Sequence, residues 1–483
     1  MNTGVRSMNQ KTTKVKEKLK PFLLPAYCKG CGRCIAACAK GCITPGSKIN
    51  PHTGLVPVDL NLEACTSCGL CVIACPEPYG IRLALAEGTE GVQGDFVLED
   101  PAKLFGARPS TAPKPEAVAD QVIPLPECEP LVTKGTYASA IGAILAGCRH
   151  VYGYPITPST EGAELMAKYQ PLLDGVFFQA VSEVATVNFM YGTGGAGLPC
   201  ITYTSSPGFS LMLEGISYMI GSEVPAVFVN VMRGGPGLGN IAPEQADIKL
   251  MCRGLGHGNT FCITLAPSTP QEMLDLTMKA FELSFKYRNP VLIAADGYLG
   301  QMTGMVRLPK SMRKPGIPTW GVYGDRNHRG NLICSICLSE LDLEKHNRHL
   351  NAKYEAMRKN EQLADLYQCE DAEILLVASN TPSRMAKGAV AALRSQWVKA
   401  GLFRPITLWP FPVDYLKPLL KKIKHIVVVE ASAGQLEDEM RLAFSKADIR
   451  DYPPIHHVQR MGGVLPQQSE IVEKVLSLKE VRP

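Results

Sequence analysis

The chain has no apolar run near the roughly 20 residues that a bilayer-spanning helix needs. Its first 20 residues carry six Lys/Arg but none of the apolar stretch of a secretory leader, so residues 1–23 read as a basic flexible tail and the protein as cytoplasmic. Charge is sparse, 20% of residues with a net of +5, and much of that excess lies in the tail. No Arg/Lys stripe with interleaved aromatics is left to suggest a nucleic-acid partner. A Walker-type glycine-lysine loop is also missing. Gly192, Gly194 and Gly197 fit G-x-G-x-x-G, but a helical pattern precedes them and a strand follows, the reverse of a dinucleotide fingerprint. They predict a tight helix-to-strand turn instead. With 46% hydrophobic residues over 483 positions, the chain is too apolar for disorder and long enough for about three domains.

Cysteine is in excess: 17 in all, nine of them between Cys28 and Cys75. In a reducing compartment such a block points to metal rather than disulfides. Cys28, Cys31, Cys34 and Cys38 form C-x2-C-x2-C-x3-C, and Cys65, Cys68, Cys71 and Cys75 repeat it, the second run followed by Pro76. A cubane needs four thiolates, and three cysteines spaced by two residues wrap one face only where the backbone curls tightly, as Gly30, Gly32 and Gly69 permit. In the two-cluster arrangement the fourth cysteine crosses over. Cys28, Cys31, Cys34 and Cys75 then hold one [4Fe-4S] cluster, and Cys65, Cys68, Cys71 and Cys38 the other. Zinc would leave the three-plus-one spacing unexplained. Ala39 stands where the first run would carry proline, and Cys42 reads as a packing cysteine. The lone pair Cys334 and Cys337 reads as an ordinary buried turn or helix face. With NPHTGLVPVDL between the runs as a small hairpin, residues 24–85 predict a small α+β domain of the bacterial ferredoxin kind.

Residues 86–130 are rich in proline and aperiodic, and read as a linker. From residue 131 to 300 helical and strand patterns alternate, which implies a parallel sheet covered by helices. Such sheets gather ligand chemistry at the carboxyl ends of their strands. Four strand ends there deliver polar groups: Thr157 in Tyr154-Pro155-Ile156-Thr157, Glu183 after GVFFQA, Ser205 and Ser206 after PCITYT, and Arg233 after VFVNVM. Any one of them could be a helix cap; together they predict an active-site rim. Residues 301–370 form a connecting segment that ends in a charged helix with a solvated face. Residues 371–483, with AEILLVAS, LFRPITL and HIVVVEAS as strands, predict a second, separate doubly wound parallel-sheet domain.

The segments GYPITPSTE, QAVSEVATVNFMYG, SSPGFSLMLEGISYMIGSEVPAVFVNVMRGGPGLGNI, KYRNPVLIAADGYLGQM and GLFRPITLWPFP resemble the alpha subunit of 2-oxoacid:ferredoxin oxidoreductases, nearest the 3-methyl-2-oxobutanoate (2-ketoisovalerate) type. The cysteine block resembles that family's delta subunit, fused in front. The resemblance implies a thiamine-diphosphate pyrimidine-binding domain at 131–300 and a transketolase C-terminal-like domain at 371–483. It implies that Glu183 hydrogen-bonds the aminopyrimidine, that Thr157 and Arg233 face the 2-oxoacid, and that Tyr154, Pro155, Ile156 and Ser206 contact the cofactor. It further implies coenzyme A as cosubstrate, ferredoxin as electron acceptor, and a beta subunit that binds diphosphate and magnesium through a GDG-type motif, with a gamma subunit beside it. That motif is not in this chain; the ADG at 295–297 lacks the pattern. The same chemistry on 2-oxoglutarate, pyruvate or indolepyruvate, or a non-catalytic electron-transfer or scaffold subunit, are the alternatives.

Overall fold

The computed structural model describes residues 19–51, 53–77, 80–84, 117–325, 327–328 and 330–478. The chain forms two compact units, Met1–Ser110 and Thr111–Pro483. Most of the basic tail and residues 85–116 of the expected linker lie outside the described residues.

The first unit contains β1 (Lys20–Leu23), α1 (Arg33–Ala37), β2 (Ile43–Pro45), β3 (Val58–Leu60), α2 (Leu70–Ala74) and β4 (Ile81–Ala84). Each cysteine run curls into a one-turn helix directly after a left-handed glycine, Gly32 at φ 74° and Gly69 at φ 75°. A side chain at either would be strained. β1 pairs antiparallel with β4, and β2 with β3. Two expectations need correction. Lys20–Leu23 is strand rather than tail, with Phe22 buried. The hairpin begins earlier than NPHTGLVPVDL: its first strand is Ile43–Pro45, because Pro51 and Pro57 have no N–H to donate to a ladder and pairing resumes only at Val58.

The second unit opens with β5 (Gln121–Pro124), β6 (Leu131–Lys134), α3 (Gly135–Leu145), β7 (His150–Gly153), α4 (Thr160–Tyr169), β8 (Val176–Gln179), α5 (Glu183–Gly195), β9 (Cys200–Thr204), α6 (Ser206–Leu211) and α7 (Leu213–Gly221). It continues through β10 (Ala226–Met232), α8 (Ile248–Arg253), β11 (Ile263–Leu265), α9 (Pro270–Tyr287), β12 (Pro290–Asp296), α10 (Gly297–Gln301), β13 (Thr303–Val306), β14 (Ser311–Lys314) and α11 (Glu340–Asn360). It closes with β15 (Ala364–Tyr367), β16 (Ile374–Val377), α12 (Asn380–Arg394), β17 (Ala400–Pro405), β18 (Thr407–Trp409), α13 (Val413–Leu416), β19 (His425–Glu430), α14 (Gln435–Lys446), β20 (Ile455–Gln459) and α15 (Gln468–Leu476).

Two open sheets result, ordered β18-β11-β12-β10-β9-β7-β8 and β15-β17-β16-β19-β20. Pairing is parallel except at the edges, where β18 runs against β11 and β15 against β17. The buried strands read as continuous apolar runs, with every residue of β10 and of β12 buried. In the larger sheet the winding direction reverses between β7 and β9, and that reversal opens a crevice at the carboxyl ends of the strands. Gly197, at φ 81°, makes the expected turn from α5 into β9. The end of the linker is ordered, β5 pairing with β14; β6, just past it, pairs with β13. In α11 the charged surface is interrupted by buried Leu350, Tyr354 and Met357. Among the described residues no helix is long and apolar enough to cross a membrane.

Candidate functional site

Four segments meet at the crevice beyond β7 and β9. After β7 the chain leaves through Tyr154, Pro155, Ile156 and Thr157, and Ser159 Oγ pins the turn by donating to the Ile156 carbonyl at 2.7 Å. After β8, Ser182 caps α5, its Oγ accepting from the Ala185 N–H at 3.2 Å. That cap makes Glu183 the first helical residue, so its carboxylate sits at the positive end of the helix dipole. Glu183 is 5% exposed, and among the described residues nothing hydrogen-bonds its carboxylate.

β9 ends at Thr204, and α6 starts two residues later. A Cβ on Gly208 of α6 would stand 2.5 Å from Glu183 Oε1 and 2.4 Å from Thr204 Oγ1, a hydroxyl that is itself buried without a partner. Glycine thus keeps open a small cradle containing a buried acceptor and a buried hydroxyl. Such a pair fits a ligand that presents a ring nitrogen and an adjacent amine.

β10 delivers Arg233. Its Nη1 donates to the Thr157 carbonyl at 2.7 Å and its Nη2 to the Leu238 carbonyl at 3.1 Å, while Nε is buried with no partner. Its main-chain N–H donates to Ser206 Oγ at 3.0 Å. The segments after β7, β9 and β10 are therefore tied together by Arg233, the first through its guanidinium and the second through its main-chain N–H. Each terminal nitrogen of the guanidinium gives one hydrogen to a main-chain carbonyl, so Nε and the second hydrogen on each Nη are left for a ligand. Thr157 joins this network through its carbonyl, not its hydroxyl.

Further residues that sequence reasoning missed support this rim. Asn230 Nδ2 donates to Asp247 Oδ2 at 2.8 Å, and burial lifts the Asp247 carboxyl above its ordinary range against the pull of Ser206, Asn230 and Arg233. Glu244 Oε2 accepts from the Gly235 N–H at 2.9 Å and its Oε1 from the Gly462 N–H at 3.2 Å, which holds the GGPGLG loop to the smaller sheet's side of the unit. Asp296 of the ADG stretch is structural: its Oδ1 accepts from the Tyr298 and Leu299 N–H groups and from Thr381 Oγ, and its Oδ2 from the Thr381 N–H. The carboxylates in NIAPEQAD were the one available signal for Glu244 and Asp247. A cavity of about 490 Å³ contributes none of these groups; Ala146 and Pro199, which line it, lead into the opposite ends of the strands.

In the first unit a cavity is lined by Cys28, Cys31, Cys34 and Cys75, three thiols from one run and the last of the other. Burial, then proximity to Cys28 and Cys75, raises the Cys34 thiol; burial also raises Cys71, whose thiol neighbours are Cys38 and Cys65. Each buried thiol thus has the neighbours of the crossed arrangement. The Cys42 N–H donates to Cys38 Sγ at 3.3 Å and the Ser67 N–H to Cys65 Sγ at 3.4 Å. Cys42 belongs to the small core. Cys334 is exposed and Cys337 half-buried, in a stretch without regular structure, so the expectation of a buried turn or helix face is corrected there.

Comparison with known proteins matches the domains that carry these residues. Residues 27–78 match the 4Fe-4S dicluster domain, residues 141–323 the thiamine diphosphate-binding domain of pyruvate flavodoxin/ferredoxin oxidoreductases, and residues 372–471 core domain II of pyruvate:ferredoxin oxidoreductase. The ketoisovalerate oxidoreductase subunit VorB of Methanothermobacter marburgensis is 46% identical over 71% of this chain and 96% of its own length. The chain belongs to the 2-oxoacid:ferredoxin oxidoreductase family. Another member, the 2-oxoglutarate synthase subunit KorA of Methanocaldococcus jannaschii, is 36% identical over 71% of the chain and 98% of its own length. Among solved structures, the 2-oxoglutarate:ferredoxin oxidoreductase from Magnetococcus marinus, with 2-oxoglutarate, coenzyme A and succinyl-CoA bound, superposes with a TM-score of 0.64 at 25% identity. That match covers 72% of this chain and 65% of the other. The family's thiamine-binding and dicluster domains coincide with the cradle beside Glu183 and with the cysteine-lined cavity.

Proposed function

We propose that this chain is a fused delta-alpha subunit that converts 3-methyl-2-oxobutanoate, coenzyme A and two oxidised ferredoxins into the branched acyl-CoA, carbon dioxide, two reduced ferredoxins and a proton. The observation that carries the substrate class is the 46% identity to a ketoisovalerate oxidoreductase subunit along almost all of that relative's length, against 36% for a 2-oxoglutarate synthase subunit. Thiamine diphosphate, when bound, supplies the electron sink that lets the bond to the departing carboxylate break, and the iron-sulfur clusters take the electrons one at a time.

Glu183 is assigned to accept a hydrogen bond from the aminopyrimidine, a role that suits a buried acceptor with no competing partner. Ser206, Tyr154, Pro155 and Ile156 shape the seat around it. Arg233, through its free Nε, and Thr157 are assigned to the substrate carboxylate, where a fixed cation orients the acid before decarboxylation. Cys28, Cys31, Cys34 and Cys75 would hold one cluster, and Cys65, Cys68, Cys71 and Cys38 the other. A beta subunit carries the diphosphate and magnesium, a gamma subunit accompanies it, and the cytoplasm, where thiolates stay reduced, is the setting.

The test is to isolate the complex anaerobically with its companion chains and assay coenzyme A-dependent dye reduction on 3-methyl-2-oxobutanoate, 2-oxoglutarate, pyruvate and indolepyruvate. The expected order places the branched acid first. Glu183→Gln should lower turnover at least a hundredfold; unchanged turnover would leave an electron-transfer or scaffold subunit. For the clusters, Cys75→Ser should erase the same paramagnetic signal as Cys28→Ser, whereas uncrossed ligation would make Cys75→Ser resemble Cys65→Ser.

A further inference from the structure

At the end of the larger sheet opposite the Glu183 crevice lie two adjoining cavities, of about 180 and 200 Å³, with Trp409, Glu439, Leu442 and Lys446 common to both walls. Phe261 leads into β11, and Trp409 ends the antiparallel β18, which places the cavities at the amino ends of the parallel strands. The two chambers differ in character. One is bounded by the glycine-rich loop Gly256, Gly258, Asn259 and Thr260, the other by Trp409, Pro410, Phe411 and Val413.

Three cations converge on this cleft. Arg253 pairs through its Nε with Glu439 Oε1 at 2.6 Å. Arg358 stacks over Phe261 at 5.2 Å and over Trp409 at 5.6 Å, and pairs with Glu355, an exposed carboxylate outside the cavity walls. Lys446 sits over the Phe261 ring at 5.8 Å and makes no ion pair among the described residues. Burial and the neighbouring Arg358 hold its ammonium below the ordinary lysine range. The one carboxylate in the walls, Glu439, is taken up by Arg253, which leaves Lys446 without a wall carboxylate of its own. Arg253 and Lys446 are exposed at the rim of the cleft, where their like charges favour the arrival of an anion.

The loop supplies a second and independent feature. Gly256 and Gly258 are left-handed, at φ 77° and φ 84°, and the N–H groups of Gly258, Asn259 and Thr260 donate to no protein acceptor among the described residues. Successive free main-chain donors beside cations suit tetrahedral oxyanions.

We propose that this cleft binds an organic phosphate ester, its phosphate in the glycine-lined chamber against Arg253 and Lys446, and its organic body in the apolar chamber beside Trp409. The site is separate from the thiamine crevice and independent of the substrate assignment.

The test is isothermal titration of the intact, anaerobically isolated complex, saturated with thiamine diphosphate so that the cofactor site takes no part. ADP and inorganic pyrophosphate serve as probes. ADP should bind, more tightly than pyrophosphate and more weakly as salt rises. Lys446→Ala should weaken ADP binding roughly tenfold or more, Lys446→Arg should restore much of it, and Glu439→Gln, which removes the opposing charge, should tighten it. Thermal melts without ligand establish that each variant is folded. No binding by either probe, or equal affinity in the wild type and Lys446→Ala, overturns the site; pyrophosphate binding as tightly as ADP overturns the role of the apolar chamber.

Discussion

A methyl group on Gly208 would come within 2.5 Å of Glu183 Oε1, far inside van der Waals contact, so Gly208→Ala must displace either the carboxylate or the helix carrying it. Alanine favours a helix over glycine by about 1 kcal/mol, which offsets much of the local strain. The expected result is a melting temperature close to wild type with thiamine diphosphate affinity at least tenfold weaker. Retained affinity would remove Glu183 from the cofactor contacts. Glu439 gives a pH prediction. Burial raises its carboxyl to about 7 from the ordinary 4.5, so the folded chain holds a proton that the unfolded chain releases. Its contribution to stability is complete below about pH 4.5 and is lost as pH rises through 7. Glu439→Gln should then be more stable than wild type at pH 8, by up to about 2–3 kcal/mol at roughly 1.4 kcal/mol per unit, and no different at pH 4. Denaturant midpoints at the two pH values check this; equal differences at both would exclude a buried titration. Glu183 and Arg233 were legible in the sequence because each follows a strand. The requirement at Gly208 was not, since it exists only where residue 208 meets residue 183 in space.

Elements were legible where one strand served one sheet. LFRPITL reads as a single strand, but β17 ends at Pro405 and pairs in the smaller sheet, whereas β18 starts at Thr407 and edges the larger one. Ile406 is the crossing point, its N–H donating to the Leu363 carbonyl and its carbonyl accepting from Ala266. Both strands are buried throughout, so hydrophobicity alone could not mark the break. The pairing of β14 with the linker strand β5 was equally hidden, because β5 is exposed along its whole length and has no alternation to read. The smaller sheet has its own reversal, between β16 and β19, and there the loop carrying Gln245 enters where doubly wound sheets usually take a ligand. Gln245 Nε2 donates to Ser379 and Asn380, and its Oε1 accepts from the Ala431 N–H at 2.8 Å, all of it buried. Gln245→Leu would strand several of these groups at about 1–3 kcal/mol each, so a loss of roughly 2–4 kcal/mol is expected in urea unfolding. A loss below about 0.5 kcal/mol would show that the loop does not fasten the two sheets.

At the scale of the whole molecule, the two compact units differ in what holds them together. The larger draws on a continuous core that includes fully buried Tyr203, Phe209, Phe228 and Phe403. Among the described residues the central cluster of the smaller consists of Cys34, Cys42, Ile43, Val58, Cys71 and Ile81, so half of its members are cysteines, with Phe22 and Leu24 also buried in the unit. A domain of that size with so little apolar surface falls short of the chain entropy it must overcome, and domains of this kind lean on metal for their fold. In the assigned ligand sets, every core cysteine except Cys42 is a cluster ligand, so iron would both carry electrons and fasten the unit. Removing iron anaerobically with a chelator should therefore abolish hydrogen-exchange protection in the strands Lys20–Leu23, Ile43–Pro45, Val58–Leu60 and Ile81–Ala84. Protection across β9, β10 and β12 should stay as it was, because their burial owes nothing to metal. Exchange measured by mass spectrometry on the iron-depleted and intact complexes separates the outcomes. If the small unit keeps its protection without iron, its cysteines pack as ordinary core residues and the clusters cannot be what holds that unit folded.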